Sequence, residues 1–85
     1  MNKTKLHNVR MEKGYTLVEL ANITEIAFHT INSYDSGKRS IDNASISKVV
    51  KICENLGCKI SDILEDEENV RYFRKRKLWL MRGIV

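Results

Sequence analysis

Apolar residues recur along most of this chain at intervals of three and four, the spacing of one face of a helix and not the alternation of a strand. Between Thr16 and Arg39 the pattern divides into two short helices around a tight turn. Thr16 is placed to accept from the backbone N–H of Glu19 while the Glu19 carboxylate reaches back to Thr16, a T-x-x-E capping box; Tyr15 and Leu20 are spaced as a hydrophobic staple across it. Leu17, Leu20 and Ala21 follow at helical spacing and carry this helix to near Ile23. The second helix of the pair, roughly Ala27 to Asp35, has Ile31 and Tyr34 as buried residues and Ile26 just before it. Phe28, His29, Thr30, Asn32 and Ser33 are then left to face outward. Gly37 stands where a helix C-terminus favours positive φ, and Lys38 and Arg39 come directly after it.

Further along, Ile46, Val49, Val50, Cys53 and Leu56 read as one stripe of a fourth helix that starts near Asn43 or Ser45 and closes at Gly57. Ile60, Ile63 and Leu64 suggest a short fifth helix. With no proline and no strand-like alternation in the first 64 residues, the expected fold is all-α, five helices around Leu6, Val9, Leu20, Ile31, Val50 and Leu56. Cys53 fits that core as a small apolar residue. His7 and His29 do not stand at ligand spacing from Cys53 and Cys58, so no metal and no cofactor are expected.

These marks together resemble a known family. Val9-Arg10 with Lys13-Gly14, the Thr16 cap, Glu19-Leu20-Ala21, Ile26, Ile31, Tyr34-Asp35, Gly37-Lys38-Arg39, Leu56-Gly57, then Ile60, Asp62 and Leu64 are similar to the lambda-repressor-like, XRE/Cro-type helix-turn-helix DNA-binding proteins, over residues 5 to 64. The resemblance implies a five-helix lambda-repressor-like domain in residues 1 to 66, followed by a C-terminal extension in residues 67 to 85. It also implies that the second helix of the pair enters the major groove, with Phe28, His29, Asn32 and Ser33 toward the bases. Asn32 can pair bidentately with adenine, His29 can donate to guanine N7 or O6, and Ser33 suits a base or a phosphate. Phe28 can lie against a thymine methyl, or instead be partly buried or part of a dimer contact. Thr16, Arg10, Lys38, Arg39 and Ser40 are the implied phosphate contacts, joined by the free N–H groups at the start of that helix. Arg10 is also expected to ion-pair with Asp35 and so orient the helix. Three positions depart from the family's usual residues: Glu25 stands for Gly at the turn, Leu17 for a backbone-contacting Gln, and Ala27 for a capping Ser.

The net charge of +4 conceals an uneven spread. Residues 1 to 41 hold six cations against four acids, residues 42 to 69 three against seven, and residues 70 to 85 six with no acid. Affinity for DNA therefore has to come from placement more than from bulk charge. In the basic extension, Glu67 and Arg71 form a favourable i, i+4 pair, while Val70, Phe73, Leu80 and Ile84 fall near one helical face that Lys77 interrupts. A helix to about Lys77 is expected, with residues 78 to 85 continuing it or forming a strand against a partner. Leaving Phe73, Trp79, Leu80 and Ile84 in water would be costly, and burial in a homodimer is the simplest remedy. Capture of a different protein, or stacking of Tyr72, Phe73 and Trp79 on single-stranded nucleic acid, would serve as well.

At 85 residues the chain is expected to form one small domain with no separate sensory unit. No apolar run approaches the roughly 18 residues of a membrane span, and MNKTKLHN lacks the apolar centre of a signal peptide, so a cytoplasmic location is expected. Catalysis is not expected, because neither histidine has a matched nucleophile and residues 65 to 68 read as a solvated acidic run. The leading reading is a dimeric, sequence-specific transcriptional repressor on double-stranded operator DNA. The competing one is an antitoxin or interaction module whose tail binds a partner protein while the domain regulates its own operon.

Overall fold

The computed structural model describes residues 3 to 76, with side chains through Tyr72. Five α-helices follow in order: α1 (Lys5–Lys13), α2 (Leu17–Thr24), α3 (Phe28–Ser36), α4 (Ile46–Leu56) and α5 (Glu67–Arg76). Two 3-10 turns, Ile41–Asn43 and Ile60–Asp62, flank α4, and there is no strand among the described residues. Helices α2 and α3 pack on each other, α2 packs on α4, and α1 lies against both α3 and α4. Leu6, Leu20, Ile31, Ile41, Ile52, Ile60 and Ile63 are fully enclosed where these elements meet.

Local chemistry sets most boundaries. Thr4 caps α1 by accepting from the His7 N–H at 2.9 Å, and Gly14 ends that helix at φ 81. Both arms of the Thr16–Glu19 capping box form, at 3.0 and 2.8 Å. Helix α2 runs one residue further than the apolar pattern suggests, because Thr24 is buried with its hydroxyl donating to Leu20 O at 2.7 Å. The turn then closes with Ile26 N–H on Ala21 O at 3.2 Å, which requires Glu25 at φ 59.

The core differs from the sequence reading in three places. Val9 and Val50 only flank it, while Ile52 is fully buried, so the inward stripe of α4 is Val49, Ile52, Cys53 and Leu56. Ile46, at the first position of α4, is 56% exposed, since that turn, with Ser45 and Ser47, overhangs the core. The short helix expected at Ile60, Ile63 and Leu64 is a 3-10 turn ending at Asp62, and the fifth helix is instead Glu67–Arg76. The cause is a long-range acceptor: the N–H groups of Glu65 and Asp66, which a helix would turn back on itself, donate to the Asp42 carboxylate at 2.8 and 3.0 Å.

Asp42 also accepts from Asn69 Nδ2 at 2.9 Å, and one helical step on Val70 enters the core at 4% exposure. The extension thus begins docked on the domain. Of the residues expected to make a dimer, Trp79, Leu80 and Ile84 lie outside the described residues, as does the side chain of Phe73; the choice of helix or strand for residues 78 to 85 lies outside them too. Among the described residues no helix is long and apolar enough to cross a membrane.

Burial pushes the Asp42 carboxyl up, but the hydrogen bonds from Asn69, Glu65, Asp66 and Ser40 outweigh it and hold the group below its ordinary 3.8. A carboxylate depressed in the folded state adds stability above its unfolded pKa and loses it as pH falls through the folded value. Asp42→Ala is therefore expected to cost about 2 kcal/mol at pH 7. The gap to the parent protein should close as pH drops below 3.8, a trend read from urea unfolding at several pH values. A gap independent of pH would show that the ionised carboxylate is not what holds α5. At the α2–α3 turn, Glu25→Gly is expected to raise stability by about 0.5–1 kcal/mol in thermal unfolding, because left-handed backbone strains a residue with a Cβ. A lower midpoint would mean that the Glu25 side chain contributes more than the strain removes.

Candidate nucleic-acid interface

Helix α3 is held from beneath by a buried polar cluster. Asp35, on its last turn, takes Arg10 Nε at 2.8 Å on Oδ1 and Arg10 Nη2 at 3.2 Å on Oδ2. His7 Nδ1 stands 2.9 Å from the same Oδ2. Arg10 Nη1 donates to Tyr15 O at 2.7 Å, tying α1, the α1–α2 turn and α3 to one guanidinium. Thr4 Oγ1 donates to Asp35 O at 2.7 Å, which fixes the end of α3 to the start of α1. Gly37 follows at φ 83, and a Cβ there would stand 3.2 Å from Thr4 Cγ2, so the turn needs glycine twice over.

The opposite side of α3 is open. The side chains of His29 and Asn32 are exposed and hydrogen-bond to nothing among the described residues; Phe28 is 48% exposed and Ser33 half-buried. Thr30, expected to face outward, is buried instead, because it lies one helical turn from Tyr34 on the inward side. No side chain caps α3 at Ala27, so the N–H groups of Phe28 and His29 have no side-chain acceptor from the cap position. An exposed face with a fork-shaped amide, an imidazole and a positive helix end is suited to base edges and phosphates.

The loop beyond α3 is ordered. Arg39 N–H donates to Ser33 O at 3.1 Å, its guanidinium lies 5.5 Å over the Tyr34 ring, and Lys38 is exposed beside it. Ser40 Oγ accepts from Asp42 N–H at 3.2 Å. Lys3 lines the same hollow as Gly37, Arg39, Ser40 and Glu65, a cation that sequence reading missed; the Thr4–Asp35 bond and the bond from Lys5 N–H to Glu65 Oε2, both formed across the fold, bring it there. Arg10 was expected to touch phosphate, but it is 6% exposed with all three nitrogens engaged inside the protein, and it acts as the support of α3. Thr16 is exposed, with its oxygen committed to the α2 cap, and Leu17 packs against the core.

A family model described as a Cro/C1-type HTH DNA-binding domain matches residues 5–69. The chain belongs to that family. Its helical architecture is that of a lambda-repressor-like fold, and DNA binding is the property that its domain carries. No curated protein and no solved structure matches the chain. Within this Cro/C1-type domain the two cysteines are core residues: a hydrogen bond from Cys53 to Cys58, together with burial, pushes the Cys53 thiol up, and the same bond holds Cys58 down. Among the described residues no three His, Cys, Asp or Glu side chains gather as metal ligands.

Removing one partner of a buried ion pair leaves the other charge unpaired, so Asp35→Ala is expected to cost about 3–5 kcal/mol in urea unfolding. The double change Arg10→Met with Asp35→Leu should cost clearly less than Asp35→Ala alone. Equal losses would show that Arg10 is not the group that needs Asp35.

Proposed function

We propose that this protein is a sequence-specific transcriptional regulator, a repressor that reads operator DNA with α3 and binds as a dimer. The observation that carries the reading is the contrast across α3: every buried polar group beneath it is satisfied, while His29 and Asn32 above it have no partner among the described residues. A helix fixed so firmly on one side and left unpartnered on the other suits a ligand that supplies donors and acceptors at set spacing. Asn32 takes adenine, His29 a purine N7 or O6, and Ser33 a base or phosphate. Lys38, Arg39, Ser40 and Lys3 hold phosphates and set the register of the helix on the duplex. Dimerisation through the extension, with Phe73, Trp79, Leu80 and Ile84, rests on its apolar sequence; two copies of α3 would then meet half-sites about 34 Å apart. Repression follows from occupying DNA that polymerase needs.

Selection of bound sites from random duplex DNA is expected to return a twofold-related consensus. On that site Asn32→Ala should weaken binding by roughly 5- to 150-fold and relax the preference at one base pair. Lys38→Ala should weaken all sequences evenly and lower the salt slope by about one unit. Salt-sensitive binding without any consensus, or indifference to both substitutions, would remove α3 from the role assigned to it.

A further inference from the structure

Helix α4 ends by folding the chain back onto Cys53. Gly57, at φ 71, donates its N–H to Cys53 O at 2.8 Å, and the next N–H, that of Cys58, reaches the same oxygen at 3.1 Å. In a closure of this kind the side chain two residues past the helix meets the one three residues before its last. Here those two residues are Cys58 and Cys53, both buried, both free thiols, and hydrogen-bonded to each other through their side chains. Any pair of small apolar side chains would fill this place. Two thiols can also be oxidised to one another, and residues already in contact need little backbone movement to be bridged.

The two sulfurs are not equivalent. Cys53 is wholly enclosed, whereas Cys58 is 8% exposed and lies in the loop between Gly57 and Lys59, which are themselves exposed. The bond from Cys53 favours the charged form of Cys58 over the opposing effect of burial, and Lys13 adds to it. A thiolate is the nucleophilic form of cysteine. We infer that Cys53 and Cys58 are a reversible dithiol–disulfide pair, a modification site for hydroperoxides in which Cys58 attacks and Cys53 resolves. The Cys58 thiolate attacks one peroxide oxygen; an S–O bond forms, the O–O bond breaks, and the departing hydroxide takes up the proton that Cys58 released and leaves as water. The Cys53 thiol then attacks the sulfur of that sulfenic acid; an S–S bond forms, the S–O bond breaks, and the hydroxyl leaves with the Cys53 proton as a second water. Two thiols thereby lose two electrons, and one hydrogen peroxide becomes two waters. The new bond fastens the end of α4 across Gly57.

The full chain, freed of reductant, is treated with hydrogen peroxide without denaturant. Trypsin cuts after Lys51 and Lys59, so both cysteines fall in one peptide, residues 52 to 59. That peptide should lose the mass of two hydrogens, and dithiothreitol should restore it. With dimedone present during oxidation as a trap for sulfenic acid, the adduct should appear on Cys58. Cys53→Ser should hold Cys58 at the trapped sulfenic acid, and Cys58→Ser should leave Cys53 reduced at the same dose. Helix content is checked for each variant, and should either unfold, the dimedone adduct of the parent protein decides the order of attack. If residues 52 to 59 keep both thiols while the exposed Met11 in the same sample is oxidised, the pair is core filling alone and the inference falls. A disulfide that forms only in urea or only between chains, or a trap found on Cys53, overturns it as well.

Discussion

A carboxylate taken out of water has to be met by donors fixed in place, and Asp35 is met by Arg10 on two of its nitrogens and by His7 on a third side. Those contacts draw α1 beneath α3, and the third arm of Arg10 draws in the turn that launches α2. Helix α3 is therefore located by charge and direction as well as by oil. Ile31 and Tyr34 supply the apolar contact that holds α3 to the domain, but a greasy stripe alone permits small rotations about the helix axis. The forked guanidinium does not, because its two parallel bonds accept one orientation of the partner. Rotation about that axis is the coordinate that would misdirect His29 and Asn32.

The outward face shows the other half of the same economy. Its polar side chains are spared from intramolecular bonds, the Ala27 position spends no side chain on capping, and the loop that follows is braced by Arg39 over Tyr34. Of the departures from the family's usual residues, Leu17 is part of the core's margin. Val18 and Phe28 leave apolar surface exposed near the start of α3.

Much of this was readable from residues alone wherever the governing contact is short in sequence. The capping box at Thr16 and Glu19, the stop at Gly37 and the closing Gly57 are decided within a few residues, and each forms where the pattern placed it. The Arg10–Asp35 pair spans 25 positions and was reached only through family resemblance. Stripes one step apart on a helix are harder: Val50 and Ile52 both fit an apolar face of α4, and only the position of its neighbours makes Ile52 the buried one. Thr30 was misplaced for the same reason. Nothing local announces that Asp42 will capture two N–H groups more than twenty residues away, so the early end of the second 3-10 turn at Asp62 stayed hidden, whereas the i, i+4 pair of Glu67 and Arg71 did announce the helix that follows.

The Asp42 seat distributes the demands on identity unequally. Two of its three donors from the last segment are main-chain N–H groups, which every residue except proline supplies, so the bonds to Asp42 do not themselves depend on the side chains at 65 and 66. Within this seat the requirement for a specific side chain falls on Asp42 and on Asn69, while Glu65 Oε2 separately accepts from the Lys5 N–H at 2.6 Å and Asp66 Oδ1 from the Glu68 N–H at 2.8 Å. A segment attached in this way can exchange its outer residues, and with them whatever it meets, while its root on the domain keeps the same geometry.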